Sequence, residues 1–332
     1  MPERPTDIEL PGWKGTLKRA VAEFRADDMP TIAAGLTYYA ILSIFPALIA
    51  FIALIGVFGE YPKTSDAVLQ VVGDLGPKSA VATLRNTIED VVRNSGGAGA
   101  LLGVGLLGSI WSASGYIGAF TKASNTIYEV EEGRPFLKLK PVQLGLTLLF
   151  LVVSALAAVV FVASGSLARS IFDVIGLGGT AVDVWAYAKF PVLGLIVVGM
   201  IAVLYWAAPN VEQPRFRLVS PGGAVGLLAM IAASVLFAFY VTTFASYGKT
   251  YGALATIPIA LTWVWILNLA LLFGAEVDAE LARRKRIEEG MRPVDKEPFL
   301  PLRAEPDPPK DGAALVREEL AEERDKEREA RA

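Results

Sequence analysis

Hydrophobic residues lie along this chain in long unbroken runs, with the charged residues gathered between them and at the ends. Six segments contain no Asp, Glu, Lys or Arg: residues 29–59, 95–121, 141–168, 190–211, 218–248 and 250–275. A helix that crosses a bilayer core of about 30 Å needs about 20 such residues. Backbone in hydrocarbon must also satisfy its own hydrogen bonds, which a helix does. The runs therefore predict an all-α, polytopic membrane protein with six transmembrane helices. Only Lys249 separates the fifth run from the sixth. A tight hairpin through Gly248, Lys249, Thr250, Tyr251 and Gly252 is expected there, because one continuous helix would outrun any bilayer.

An even number of spans puts both termini on one side, and Lys and Arg decide which. With the termini cytoplasmic, segments 1–28, 122–140, 212–217 and 276–332 hold 24 basic residues, against 7 in the opposite segments. Keeping only Arg283, Arg284, Lys285 and Arg286 from the tail still leaves 15 against 7. Both termini are expected in the cytoplasm. The chain then divides into a cytoplasmic N-terminal segment (1–28), a six-helix membrane domain (29–281) and a C-terminal region (282–332). This last region starts with the basic cluster, continues as a Pro-rich linker and ends as a charged, mostly disordered tail.

Two flanking segments have amphipathic spacing. Leu17, Ala20, Val21 and Phe24 fall on one helical face, with Lys14, Lys18, Arg19 and Arg25 free to meet anionic headgroups. Asp27 or Asp28 can then cap the first span. On the other side of the membrane, Val81, Leu84, Ile88 and Val91 form a second apolar stripe. Both are expected to pack at the headgroup layer.

Composition removes most soluble chemistry. The 332 residues are 53% hydrophobic and 20% charged, with a mean hydropathy of +0.47. There is no Cys and no His, which excludes thiolate nucleophiles, Cys-ligated zinc, iron–sulfur clusters, Ser-His-Asp triads and HExxH sites. No cofactor or metal is expected. A net charge of −3 gives no general attraction to nucleic acid.

Two nucleotide-like patterns fail on context. Gly103-Val104-Gly105-Leu106-Leu107-Gly108 has the GxGxxG letters but lies inside a membrane run, where no βαβ unit can form. Gly248-Lys249-Thr250 resembles the end of a Walker A loop but has Thr243 where the pattern needs glycine. Close helix packing suits the glycines better: Gly99 with Gly103, Gly108 with Ser112, and Gly222 with Gly226 are each four residues apart.

Polar residues at membrane depth are costly and so point to function. Tyr38, Tyr39 and Ser43 lie near the cytoplasmic end of the first span, ahead of a kink expected at Pro46. Asn125 and Tyr128 follow the second span, Pro209 and Asn210 close the fourth, and Asn268 is mid-membrane in the sixth. Glu276, Asp278 and Glu280 mark the sixth span's cytoplasmic end. One reading makes Tyr38, Tyr39, Asn125, Asn210, Asn268 and Glu276 the lining of a polar cavity open to the cytoplasm, with Glu276 able to bind a cation, a proton or a headgroup amine. The other makes them interfacial anchors and helix caps. Glu276 and Glu280, one turn apart, could also share a metal with Glu129 or Asp27, although Arg283 and Arg284 are nearer partners.

These residues, taken with their neighbours, resemble a known family. The block 34–46, with Tyr38-Tyr39 and Pro46, is similar to the first-span signature of the YihY/BrkB membrane proteins. So are Asn125…Tyr128-Glu129 with Arg134-Pro135-Phe136, Tyr205…Ala208-Pro209-Asn210, the hairpin 247–252, and Phe273-Gly274-Ala275-Glu276 running on to Glu280. The similarity covers about residues 15–285. It implies a six-span protein of the bacterial cytoplasmic (inner) membrane. Members have carried the label ribonuclease BN and a virulence label, and have been considered for envelope lipid transport. A sequence without His or a basic, aromatic-rich groove is poorly suited to RNA.

The expectation is a protein, not an enzyme, that handles an amphipathic envelope molecule such as a lipid. Its rivals are a proton-coupled small-solute transporter, a membrane scaffold and, last, a metal-dependent ribonuclease. Membrane lipids are the expected partners, with anionic headgroups at Lys18, Arg19 and Arg283, Arg284, Lys285, Arg286. Nucleic acid is not expected, and a homo-oligomer stays open.

Overall fold

A computed structural model describes residues 10–58, 99–162, 179–213, 215–243, 256–290 and 298–306. The described residues form seven helices: α1 (Leu10–Ala26), α2 (Met29–Phe58), α3 (Gly99–Ile127), α4 (Phe136–Val162), α5 (Gly179–Ala207), α6 (Pro221–Thr243) and α7 (Thr256–Glu288). Each of the six charge-free runs has its helix. Four stretches among the described residues are long and apolar enough to cross a membrane, in α4, α5, α6 and α7. The outer stripe at 81–91 and the hairpin 248–252 lie outside the described residues.

Helix ends differ from run ends wherever charge can reach an interface or a partner. α5 includes Asp183 and Lys189 and passes through Pro191. α4 starts ahead of Pro141 and carries Lys138 and Lys140 in its opening turns. Lys140 folds back to Ser114 Oγ at 2.5 Å and over the Trp111 ring, which removes the need for a loop at that depth. α7 continues far beyond Ala275 to Glu288. Its last turns pair Arg284 with Glu288 and both Lys285 and Arg286 with Glu289, so the basic cluster is helical and largely self-neutralised.

α1 is docked on α7. Ala20 is fully buried with Val277 and Leu281, Phe24 meets Phe273 edge-to-face, and Arg19 Nε lies 2.8 Å from Glu280. Leu17 and Val21 stay exposed, so only half of the amphipathic stripe is left for lipid. The α1–α2 turn passes through Asp28 at φ 50°. Asp28 contributes its backbone carbonyl to the amides of Thr31 and Ile32, which is how it starts α2.

The core lies among α2, α3, α5 and α7, where Met29, Leu36, Phe120, Ile127, Leu204, Tyr205 and Leu272 pack together. α6 leans on α7 through glycine. A Cβ on Gly222 would overlap the Gly274 carbonyl and Asp278, and one on Gly274 would come within 2.9 Å of the Gly226 Cα. Helices separated by hydrogen atoms alone gain dispersion contact over their full length. Gly99, Gly103, Gly108 and Pro46 lie within α3 and α2, where the helix path alone is described. The opposite side of α6 presents Leu228, Ile231, Val235, Leu236 and Phe239, each more than half exposed. An apolar surface of that extent belongs against lipid.

Gly222→Ala should therefore force α6 from α7 and cost about 1–3 kcal/mol. Gly35 has open space where its Cβ would stand, so Gly35→Ala should gain up to about 1 kcal/mol from helix propensity. Thermal unfolding in detergent checks both; equal melting temperatures would contradict the packing assignment.

Candidate functional site

The C-terminus of α5 sets up the site. A helix leaves its last four carbonyls without helical partners, and here three separate segments supply donors. Gln213 Nε2 donates to Tyr205 O at 2.8 Å, an Arg303 guanidinium nitrogen donates to Trp206 O, and Arg134 donates to Ala207 O and, at 2.7 Å, to Ala208 O. Two of the three are cations, which also suits the negative end of the helix dipole. The donors come from the loop after α5, from residues 298–306 and from the α3–α4 loop.

Asn210 locks these segments together. It is fully buried, and its backbone amide donates to Asn125 Oδ1 at 2.7 Å. Its side-chain Nδ2 donates to Glu131 O and to Ala304 O, while Oδ1 accepts from the Ala304 amide. Asn125 Nδ2 donates to Glu132, which also holds Arg134 at 2.7 Å through both carboxylate oxygens. Burial alone would raise the pKa of Glu132, but hydrogen bonds from Arg134 and Asn125 outweigh it and hold the carboxyl below its usual range. α3 ends over Glu129 at φ 53°, with Val130 N returning to Asn125 O, and Glu129 meets Arg283.

Beside this clasp is a cavity of about 550 Å³ between the ends of α5 and α7, the start of α6 and residues 300–301. Ala202, Tyr205, Trp206, Leu281, Ala282 and Leu300 form its apolar lining, and Arg215, Arg217, Lys285 and Arg286 stand at its polar side with Glu212, Asp278 and Glu289. Asp278 anchors the α6 start by accepting from Ser220 and from Gly222 N. Ser220 itself accepts from Gly223 N, an N-cap followed by proline at the first helical position.

The six residues singled out for a polar cavity lie elsewhere. Asn125 and Asn210 meet in the clasp, with Pro209 buried beside them. Asn268 ties three helices, accepting from Tyr116 Oη at 2.9 Å and donating to Thr37 Oγ1 at 3.1 Å. Tyr38 is 62% exposed on the outside of α2 and stacks edge-to-face on Tyr39, whose ring covers Gly115. Glu276 is 1% exposed, and its Oε2 has no hydrogen-bond partner among the described residues. Glu280, a turn further on, holds Arg19 and Arg283. Among the described residues no three acids converge as a metal site requires.

Sequence reasoning passed over Arg303, Gln213 and the Arg215–Arg217 pair. The two arginines in a six-residue loop were a usable signal. Arg303 had none, because a Pro-rich stretch gives no period from which to place it.

Residues 20–298 match the family model described as Virulence factor BrkB. The chain belongs to the BrkB family. It is 30% identical over 275 residues to the putative ribonuclease-like protein YfkH of Bacillus subtilis (strain 168), covering 82% of this chain and 97% of that one. A UPF0761 membrane protein of Rhodospirillum centenum, RC1_0578, is 30% identical over 273 residues, covering 82% of this chain and 58% of that longer one. One from Aeromonas salmonicida is 28% identical over 282 residues, covering 80% of this chain and 88% of that one. No solved structure matches. Like the two UPF0761 relatives this is a membrane protein, and the BrkB match ends where residues 298–306 start.

The lowered pKa of Glu132 gives a signed prediction for this BrkB member. The stability contributed by its carboxylate is present above the unfolded glutamate value of about 4.3 and is lost as pH falls through the lower folded value. Glu132→Gln should cost about 1–3 kcal/mol at neutral pH and narrow toward wild type in acid. Melting curves of both proteins between pH 7 and 3 test this, and a constant gap would refute it.

Proposed function

We propose that this BrkB-family protein handles an amphipathic envelope molecule, a lipid, at the cytoplasmic face of a bacterial inner membrane. The observation that carries the reading is the cavity: apolar lining on one side, arginine and lysine on the other, at the ends of membrane helices. Its volume is in the range of small-molecule sites and suits a headgroup with its glycerol, leaving acyl chains to run along the lipid-facing helices. Basic residues near the membrane surface favour anionic headgroups by about 1 kcal/mol each.

Topology supports the assignment of sides. α2, α4 and α6 start, and α3, α5 and α7 end, near the clasp, whose loops and helix ends carry most of the basic residues. The bias of 24 basic residues against 7 supports a cytoplasmic reading of this face. The ribonuclease-like wording attached to YfkH receives no support from the cavity, whose apolar half offers RNA neither phosphate contacts nor an open stacking groove.

A second reading rests on Glu276. A buried carboxyl oxygen without a donor suits a proton carrier, and proton-coupled solute transport would use it. Leaflet exchange of labelled phospholipid in proteoliposomes separates the two. Lipid handling predicts exchange above empty vesicles without a pH gradient. It also predicts that Arg215→Glu with Arg217→Glu lowers exchange of an anionic lipid about tenfold more than that of a zwitterionic one. Exchange at the level of empty vesicles would defeat this reading. Solute uptake that needs a pH gradient and fails in Glu276→Gln would install the second.

A further inference from the structure

Lys140 points the wrong way for a lysine near a membrane surface. Such a side chain normally lays its stem along apolar surface and turns its ammonium out to water. α3 and α4 are successive antiparallel helices, and Gln143 stands opposite Gly118, where a Cβ would lie 3.5 Å from Gln143 Nε2. Lys140 is three residues nearer the connecting loop than Gln143. Its ammonium nevertheless meets Ser114 Oγ at 2.5 Å, four residues farther from that loop than Gly118. The stem therefore runs inward. Ser114 lies eight residues before Lys122, the charge that closes the apolar run of α3, which is about 12 Å of helix.

At that depth the charge has only neutral partners. Ser114 is fully buried and donates its own proton to Trp111 O, so its oxygen accepts from Lys140 and occupies one of three ammonium donors. The Trp111 ring, its centroid 4.3 Å away, faces the same charge. No carboxylate among the described residues pairs with Lys140, whereas Arg19, Arg283, Arg284, Lys285 and Arg286 each have one. A cation inside an apolar run is costly and marks a place where it is used. Beside it, Trp111 and Leu107, one turn apart on α3, are both more than half exposed. This face is separate from the cavity, whose lining has no residue of α3 or α4.

We propose that the Lys140 ammonium, held over Trp111 and on Ser114, docks the phosphate of a phospholipid drawn below the membrane surface along the face where α3 meets α4. The missing partner of an ammonium is an anion. An aqueous anion would have to leave water to reach this depth, whereas a phospholipid carries its phosphate on chains that belong in hydrocarbon. Leu107 and the Trp111 ring offer those chains an apolar bed, and the remaining ammonium donors meet the phosphate oxygens. The site holds a lipid whether or not the cavity moves one.

Brominated phosphatidylglycerol tests this, because bromine quenches an indole that its chain touches. The probe is titrated into full-length protein in neutral detergent. Subtracting the Trp111→Phe protein isolates the emission of Trp111 from that of the other five tryptophans. Quenching of Trp111 should saturate. Lys140→Gln should weaken the apparent affinity about tenfold, the ratio expected from losing one charge-assisted hydrogen bond, and Lys140→Arg should restore it. Brominated diacylglycerol, which has the chains without the phosphate, should quench to the same degree with either residue at position 140. Melting curves confirm folding, and Lys140→Met, which keeps an apolar stem, replaces a Gln variant that does not fold.

Equal affinity for phosphatidylglycerol in wild type and the folded Lys140 variant overturns the site. So does diacylglycerol binding as tight as that of phosphatidylglycerol, since the phosphate then contributes nothing. Trp111 that no brominated lipid quenches, as when a second copy of the chain covers it, overturns it too. Saturable, Lys140-dependent quenching together with exchange at the level of empty vesicles keeps this site and defeats the lipid-handling reading of the cavity.

Discussion

Four carbonyls at the end of α5 organise the charged face of this protein. A helix that stops at the membrane surface must find donors for its last turn, and α5 stops among other helix ends where water has limited access. Arg134, Gln213 and Arg303 meet that demand from three different segments. Asn210 then fixes the segments relative to one another. The cavity lies where the ends of α5 and α7 meet the α6 start, and the glycines of α6 and α7 draw those two helices together.

Charge on this face is spent mostly on the protein itself. Arg19 and Arg283 flank Glu280, Arg284 holds Glu288, and Glu289 faces Lys285 and Arg286. Exposed pairs of this kind contribute little to stability, but they reduce the field that a juxtamembrane cluster would present to lipid. Arg215 and Arg217 are exposed and form no ion pair among the described residues. Positive charge without an ion-pair partner among the described residues therefore gathers beside the cavity in the short loop after α5.

Burial of Asn268 and Glu276 shows two ways a membrane protein treats a polar side chain. Asn268 is fully engaged, with Tyr116 and Thr37 satisfying it between three helices, which makes it a tie. Glu276 is equally buried but has an oxygen without a donor. Both looked alike along the chain, since depth in a run says nothing of rotation about the helix axis.

The sequence by itself determined the all-helical membrane architecture, because the cost of unpaired backbone in hydrocarbon leaves one solution for apolar runs of that length. It also marked Gly222, Gly226, Asn125 and Asn210 as residues with work to do, and carried the family likeness in ordered blocks. Tertiary structure alone decided what that work is. The partners of Asn125 and Asn210 are 79 to 94 positions away in most cases, and Arg303 reaches Trp206 across 97. Periodicity reports a face and hydropathy reports a depth, while a hydrogen bond needs two groups at one point in space. Helix packing supplies that third coordinate, and it seats residues 298–306, in the region expected to be a Pro-rich linker, on Asn210 and Val211.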